Sequence, residues 1–244
     1  MKPVLEICCF NIQSALHAQQ AGAYRVEFCA DPQGGGTTPS LGAIKTAREK
    51  LHIQLYPIIR PRGGDFLYSK EEFEIMIHDV ELCRQLGCDG VVIGLLNPDG
   101  RIDRKRAGRL VELAYPAGVT FHRAFDRCVD PREGLEDIIG IGCERILTSG
   151  QRPTALEGAS LIHDLIKQAD NRIILMPGSG IRASNILEVA GQTGAEEFHS
   201  STGKFEESKM KYSNPLMLET INNFVADPEE IRSMTDLLTH YQPS

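Results

Sequence analysis

Short runs rich in Val, Ile and Leu recur along the chain, and each is followed by a longer stretch whose apolar residues return every three or four positions. Short apolar runs bounded by turn residues mark strands, and the 3.6-residue period of the longer stretches marks helices buried along one face. Strands are predicted at 4–10, 25–30, 53–61, 90–96, 118–125, 145–150, 172–177 and 196–201, with helices between them. The clearest helices span 69–86 and 154–170. Ser69 and Thr154 stand as their caps, and Glu72 and Glu157 sit at capping-box offset. A glycine closes most helices, in AGA, LGC, AGV, IGC and TGA, where a left-handed residue turns the chain back. Eight βα units make a parallel sheet. The first strand runs into CCFNIQS and not into a Gly-rich dinucleotide fingerprint, so the closed form is favoured over an open doubly wound sheet. The expected fold is α/β, a TIM-like (β/α)8 parallel barrel in a single domain over 1–244, with 202–244 a polar loop and C-terminal helical tail whose helix is announced by Asp227 and Pro228.

Composition narrows the function classes. A net charge of -7 over 244 residues opposes binding to nucleic acid or to an anionic membrane surface. The one basic cluster, Arg101, Arg104, Lys105, Arg106 and Arg109, has the spacing of a solvated helix face. No apolar run approaches the ~20 residues that cross a bilayer. The opening MKPVLEICCF lacks the apolar core of an export leader, so a cytoplasmic setting is expected. Seven cysteines without CxxC pairs then read as free thiols. Nothing in the pattern specifies a homo-oligomer, with which a barrel is nevertheless compatible.

In such a barrel the strand C-termini and the loops after them build the site. Strand one carries Glu6 and Cys8, and strand two repeats the pattern with Glu27 and Cys29. Period two puts each Glu with its Cys on one face; Val26 and Phe28 suit the helix layer, so the Glu-x-Cys face points inward. Cys9 then points outward. Two soft thiolates in reach of one another favour Cu(I) or Zn(II), while buried cysteines without a metal are equally ordinary. Inward carboxylates need partners, and Arg60, from IIRPRGGDF, is placed to pair with Glu27, with Arg62 on the same face. Strand five ends in TFHRAFD, where alternation sets His122 and Asp126 against Arg123; His122 is the natural acid/base group. Ser149 ends strand six, His199 ends strand eight, and Gly178, Ser179 and Gly180 form a turn where barrels often hold anions. The loop DPQGGGTTPS, with its three glycines, would approach a ligand or form a lid, and Thr38 or Ser40 would cap the next helix. Cys83, Cys88, Cys128 and Cys143 fall on helices or connections and receive no site.

Taken in order, LEICC, RVEFCADPQGGGTTPS, IIRPRGGDF, VTFHRAFD, LTSGQ, PGSGI and FHSS resemble the copper homeostasis protein CutC family over essentially the whole chain. The resemblance implies a cytoplasmic TIM-like barrel linked to copper, with Cu(I) thiolates on Cys8 and Cys29 and no nucleotide cofactor. It also implies a mouth cluster of Glu6, Glu27, Arg60, Arg62, His122, Arg123, Ser149 and His199. One departure is the loop after strand two, where Gly34 stands in place of the family's Glu. Two readings follow. One is a Cu(I)-binding protein. The other is a barrel enzyme for a small anionic or phosphorylated metabolite, with Glu6, Glu27, His122 and His199 as acid/base groups and Arg60, Arg62, Arg123, Ser149 and the Gly178–Gly180 turn holding the anion.

Overall fold

The Glu-x-Cys alternation has a direct structural counterpart: two separate apolar clusters, one inside a ring of strands and one outside it. Cys8, Cys29, Tyr56, Ile58 and Val92 form the inner cluster. Ile7, Cys9, Val26 and Phe28 join the outer one, where the helices pack. A computed structural model describes residues 3–218 and 221–241 of the chain.

All eight predicted strands are present: β1 (Val4–Cys9), β2 (Arg25–Phe28), β3 (Gln54–Pro57), β4 (Gly90–Ile93), β5 (Gly118–Phe121), β6 (Arg145–Thr148), β7 (Ile174–Pro177) and β8 (Glu197–Ser200). Helices α1 (Ile12–Gln20), α2 (Leu41–Lys50), α3 (Lys70–Gln85), α4 (Arg104–Ala114), α5 (Pro131–Ile141), α6 (Ala159–Ala169) and α7 (Ile186–Thr193) alternate with them. The strands pair in parallel in two runs, β3-β2-β1-β8 and β4-β5-β6-β7. A parallel bridge between Ile58 and Val92 joins β3 to β4, and a methyl on Gly178 beyond β7 would touch His199 of β8, so the ring closes as a TIM-like (β/α)8 barrel. Every strand but β7, which ends at Pro177 as expected, stops short of its predicted C-terminal bound, and Phe10, Ile58, Arg60, His122, Arg123 and Ser201, beyond those strand ends, line the mouth.

Local chemistry explains several elements. Ser69 and Glu72 make the expected capping box on α3, and Ser40 caps α2. Thr38 instead accepts the Arg60 N–H. The predicted helix 154–170 begins only at Ala159: Thr154 accepts the Glu157 N–H across a single turn that does not propagate, and Gly158 precedes the helix without a side-chain cap. Gly142 and Gly194 are left-handed helix ends as expected. Gly118 is not; it lies within β5, where a side chain would strike the Tyr56 hydroxyl and the Glu144 carboxylate.

The basic cluster is a paired surface: Arg101 meets Glu133, Arg104 meets Asp137, Arg106 meets Asp103 and Arg109 meets Glu112. The 202–244 tail is more structured than a polar loop. It holds an antiparallel ribbon, β9 (Gly203–Glu206) with β10 (Asn223–Ala226), before α8 (Pro228–His240), which Asp227 caps. Residues 219, 220 and 242–244 of that tail, like Met1 and Lys2 of the opening segment, lie outside the described residues. The ribbon docks on α1 through Asn11, whose amide donates to the Phe224 carbonyl, which explains its persistence in a polar sequence. Among the described residues no helix is long and apolar enough to cross a membrane.

Candidate functional site

β1 and β2 run in register with Cys8 opposite Glu27, so period-two alternation brings both Glu-x-Cys pairs into the barrel interior. Cys8 Sγ and Cys29 Sγ are 3.7 Å apart. Cys8, Glu27 and Cys29 offer ligand atoms that all lie within 4.8 Å of one another. Two sulfurs bound to one ion at about 2.3 Å and a near-tetrahedral angle are separated by about that same sulfur–sulfur distance, so the pair fits a thiophilic ion without rearrangement. Cys29 is 2% exposed, and a methyl on Gly36 would lie only 3.4 Å from its sulfur.

His199 stands over the pair. Its Nδ1 is 2.6 Å from Glu6 Oε1 and its Nε2 is 3.7 Å from Glu27 Oε2. Burial would lower the His199 pKa, but hydrogen bonds with Cys8 and Glu6 and the nearby Glu27 charge raise it well above its usual range. Burial likewise works to raise Glu6, yet Arg25 first, and then His199, bring its carboxyl down to about 2. Cys8 is brought down to about 6 by the Cys29 hydrogen bond, with His199 helping against burial. Burial and then the Cys8 charge push the Glu27 pKa well up. The result is an imidazole whose charged form is favoured by Glu6 and Cys8, beside a Glu27 whose ionisation burial opposes.

Cys8, Glu27, Arg60, His122, Arg123 and His199 line a cavity of about 250 Å³ at the strand C-termini, with Ser179 and Gly180 on its wall. Other expected members are elsewhere. Glu6 is fully buried behind His199 and does not line the cavity; it orients that ring. Arg60 does not pair with Glu27: its guanidinium donates to the carbonyls of Gly34, Gly36 and Gly64, which pins the glycine loop instead of leaving a free lid. Arg62 leaves the shared face predicted for it, because the chain turns after Arg60, and pairs with Asp65 and Glu72. Asp126 does not share a side with His122, because residues Arg123–Arg127 form a 3-10 turn and not a strand. That three-residue period puts Arg123 over Asp126, at 2.7 Å. The Ser149 hydroxyl is spent on Asp126 and the Arg152 carbonyl and receives Arg123, so it positions that arginine from outside the cavity. Gly178 gives its N–H to Thr148, leaving Ser179 and Gly180 as the part of the turn that faces the cavity.

His122 differs from the expected acid/base group. Burial first, and Arg60 second, bring its pKa down to about 3, so the ring is neutral across the physiological range. Its ordinary value is 6.5, and between there and about 3 the unfolded chain binds a proton that the folded one refuses. Stability therefore falls as pH drops through that window. From pH 7 to pH 5 this one group costs roughly 2 kcal/mol. Urea midpoints at the two pH values should show a smaller acid loss, by about that amount, in His122→Asn. Gly94 sets the ring's place: a methyl there would lie 2.2 Å from His122 Cε1. Gly94→Ala is expected to cost about 1–3 kcal/mol by overpacking, read by thermal denaturation.

A charged cluster at the opposite end of the barrel escaped the sequence reading. Arg25 bonds Glu6 and Glu197, Arg145 bonds Glu197 and Glu144, and the Tyr56 hydroxyl donates to Glu144. The signal was available: residues 25, 27 and 29 share one strand face, so an inward Glu27 requires an inward Arg25.

The family model described as the CutC family matches residues 3–204. A CutC family protein of Xylella fastidiosa is 47% identical over 236 residues, covering 96% of this chain and 88% of that protein. One from Parabacteroides distasonis is 52% identical over 215 residues, 88% of each. Among solved structures, a CutC protein of Streptococcus agalactiae named for copper homeostasis superposes with a TM-score of 0.78 at 32% identity, covering 82% of this chain and 98% of that one. Phosphoribosyl anthranilate isomerase from Thermotoga maritima superposes at 0.62 with 14% identity over 98% of this chain and 100% of its own, a likeness of fold alone.

Proposed function

The chain belongs to the CutC family, and from that premise we propose that it binds Cu(I) through the thiolates of Cys8 and Cys29 at the floor of the barrel mouth. The observation that carries this reading is the buried sulfur pair 3.7 Å apart. Soft thiolates select Cu(I) or Zn(II) over hard ions, and the third donor in reach, Glu27, is a carboxyl whose ionisation burial opposes. His199 beside Cys8 favours its thiolate, the form that binds metal. The name of the Streptococcus agalactiae relative points the same way. Such a site needs reduced thiols, so the reading carries with it a reducing, cytoplasmic setting. An anaerobic Cu(I) competition titration tests it, with Zn(II) as the rival ion.

A second reading is supported by the cavity itself. It gathers Arg60, Arg123, His122, His199 and Glu27 above the sulfurs. A copper clasp has no use for that set, whereas a site for a small anionic metabolite does.

A further inference from the structure

His122 Nδ1 accepts the Ala124 N–H at 3.1 Å. A neutral imidazole carries one donor and one acceptor, so its proton is on Nε2. Nε2 is buried and has no hydrogen-bond partner among the described residues. The Nδ1–Cε1 edge lies against Gly94, and the ring tilts over Phe66 with centroids 5.0 Å apart. The Nε2 edge is what remains for the cavity that His122 lines. An unmade buried donor is destabilising, and an acceptor oxygen in the cavity would satisfy it.

Arg60 supplies the second requirement. It is 5% exposed, and its three hydrogen bonds all go to neutral carbonyls. Its Nε has no partner, and among the described residues it makes no ion pair. The charge of Arg123, in contrast, is met by Asp126. The cavity wall therefore offers one buried positive charge without a carboxylate and one neutral N–H. Phosphate needs more donors than that. The Gly178 N–H is spent on Thr148, and α7 starts only at Ile186, too far on to aim its N-terminal amides at the turn.

Deepening the second reading above, on which it rests, we infer that the cavity takes a small monocarboxylate, one oxygen accepting from His122 Nε2–H and the negative charge lying beside Arg60. The inner volume of about 250 Å³ suits a compact acid. Past Gly35, Arg60, Phe66 and Arg123 it opens into a larger outer groove lined by Asn97 and Arg127, which leaves room for a substituent on the far carbon. His122 on this assignment is a fixed hydrogen-bond donor and not a base.

The test is nitrogen-15 NMR of the metal-free full chain titrated separately with pyruvate, lactate and inorganic phosphate. The expected result is an Nε2-protonated His122 whose Nε2 signal moves saturably with pyruvate or lactate, together with the Ser179 and Gly180 amides. His122→Asn, whose side-chain oxygen can still accept the Ala124 N–H, should weaken that binding at least 10-fold. The wild-type Nε2 shift decides the matter should that variant fail to fold. Carboxylate binding that leaves the His122 signal still, or an equal affinity in a folded His122→Asn, overturns the inference. Phosphate moving the cavity amides while the carboxylates do not overturns it too, yet leaves the small-molecule reading standing. No response to any of the three overturns both.

Discussion

Replacing Cys8 and Cys29 together by serine is expected to lower Cu(I) affinity by well over 100-fold, beyond the roughly 10–100-fold that loss of an outer-shell partner costs. The exchange removes both soft donors and leaves Glu27, whose oxygen suits hard ions, as the remaining group of the cluster. Serine nearly matches cysteine in size, so the comparison reads ligation and not collapse; urea denaturation of the metal-free variant should differ from the parent by no more than about 2 kcal/mol. Each single variant should lose most of the affinity, because one thiolate does not form the clasp, and the double cycle should be strongly non-additive. The other five cysteines belong to the outer layer between strands and helices, so Cys143→Ser serves as a control that leaves binding unchanged. Residual weak binding in the double variant has a source in Cys83 and Cys88, which lie close enough to interact at the end of α3. Parent-like Cu(I) affinity in the double variant would sink the copper assignment. Tight Zn(II) with weak Cu(I) would keep the site and change the metal.

The barrel was legible in the sequence because its signals are local and repeated. Alternation within each strand sorted Cys8 from Cys9 and set Glu27 and Cys29 inward, and β1 and β2, being consecutive, pair as neighbours do. What depended on closure was not legible. The Glu6–His199 contact exists because β8 returns beside β1, with those two residues opposite in register, and no spacing between residues 6 and 199 announces it. Alternation also fails where a strand ends. Extending β5 through TFHRAFD put Arg123 and Asp126 on opposite sides, whereas the 3-10 turn stacks them. Arg60 was read from strand adjacency as a partner of Glu27 or as an anion-binding group, while its actual partners are backbone carbonyls of a loop whose path a residue pattern does not give. His122 was read as an acid/base group from its type; its neutrality comes from full burial beside Arg60, a tertiary property.

The largest stability effect is expected at Arg25. Its side chain is 0% exposed, bonded to Glu6 and Glu197 and stacked over Tyr56 at 5.2 Å. Arg25→Met keeps the stem and removes the charge, leaving Glu6, 1% exposed, without the cation that most favours its ionised form. Breaking a buried pair in this way costs about 3–5 kcal/mol, and urea denaturation at pH 7 should show it. Adding Glu6→Gln should recover part of the loss, since no unpaired carboxylate then remains, although His199 loses its charged partner. The acid dependence follows from the same group. In the folded parent Glu6 titrates at about 2 against an ordinary 4.5, so its contribution is present above 4.5 and is lost as pH falls from there toward 2. Arg25→Met raises the folded value, so the variant should lose less further stability than the parent between pH 5 and pH 3. A loss under about 1 kcal/mol at pH 7, with an unchanged acid slope, would mean that Glu197, Arg145 and His199 hold this end of the barrel without Arg25. Its placement across β1, β2 and β8 argues the opposite, because Arg25 ties together the strands that carry Cys8, Cys29 and His199.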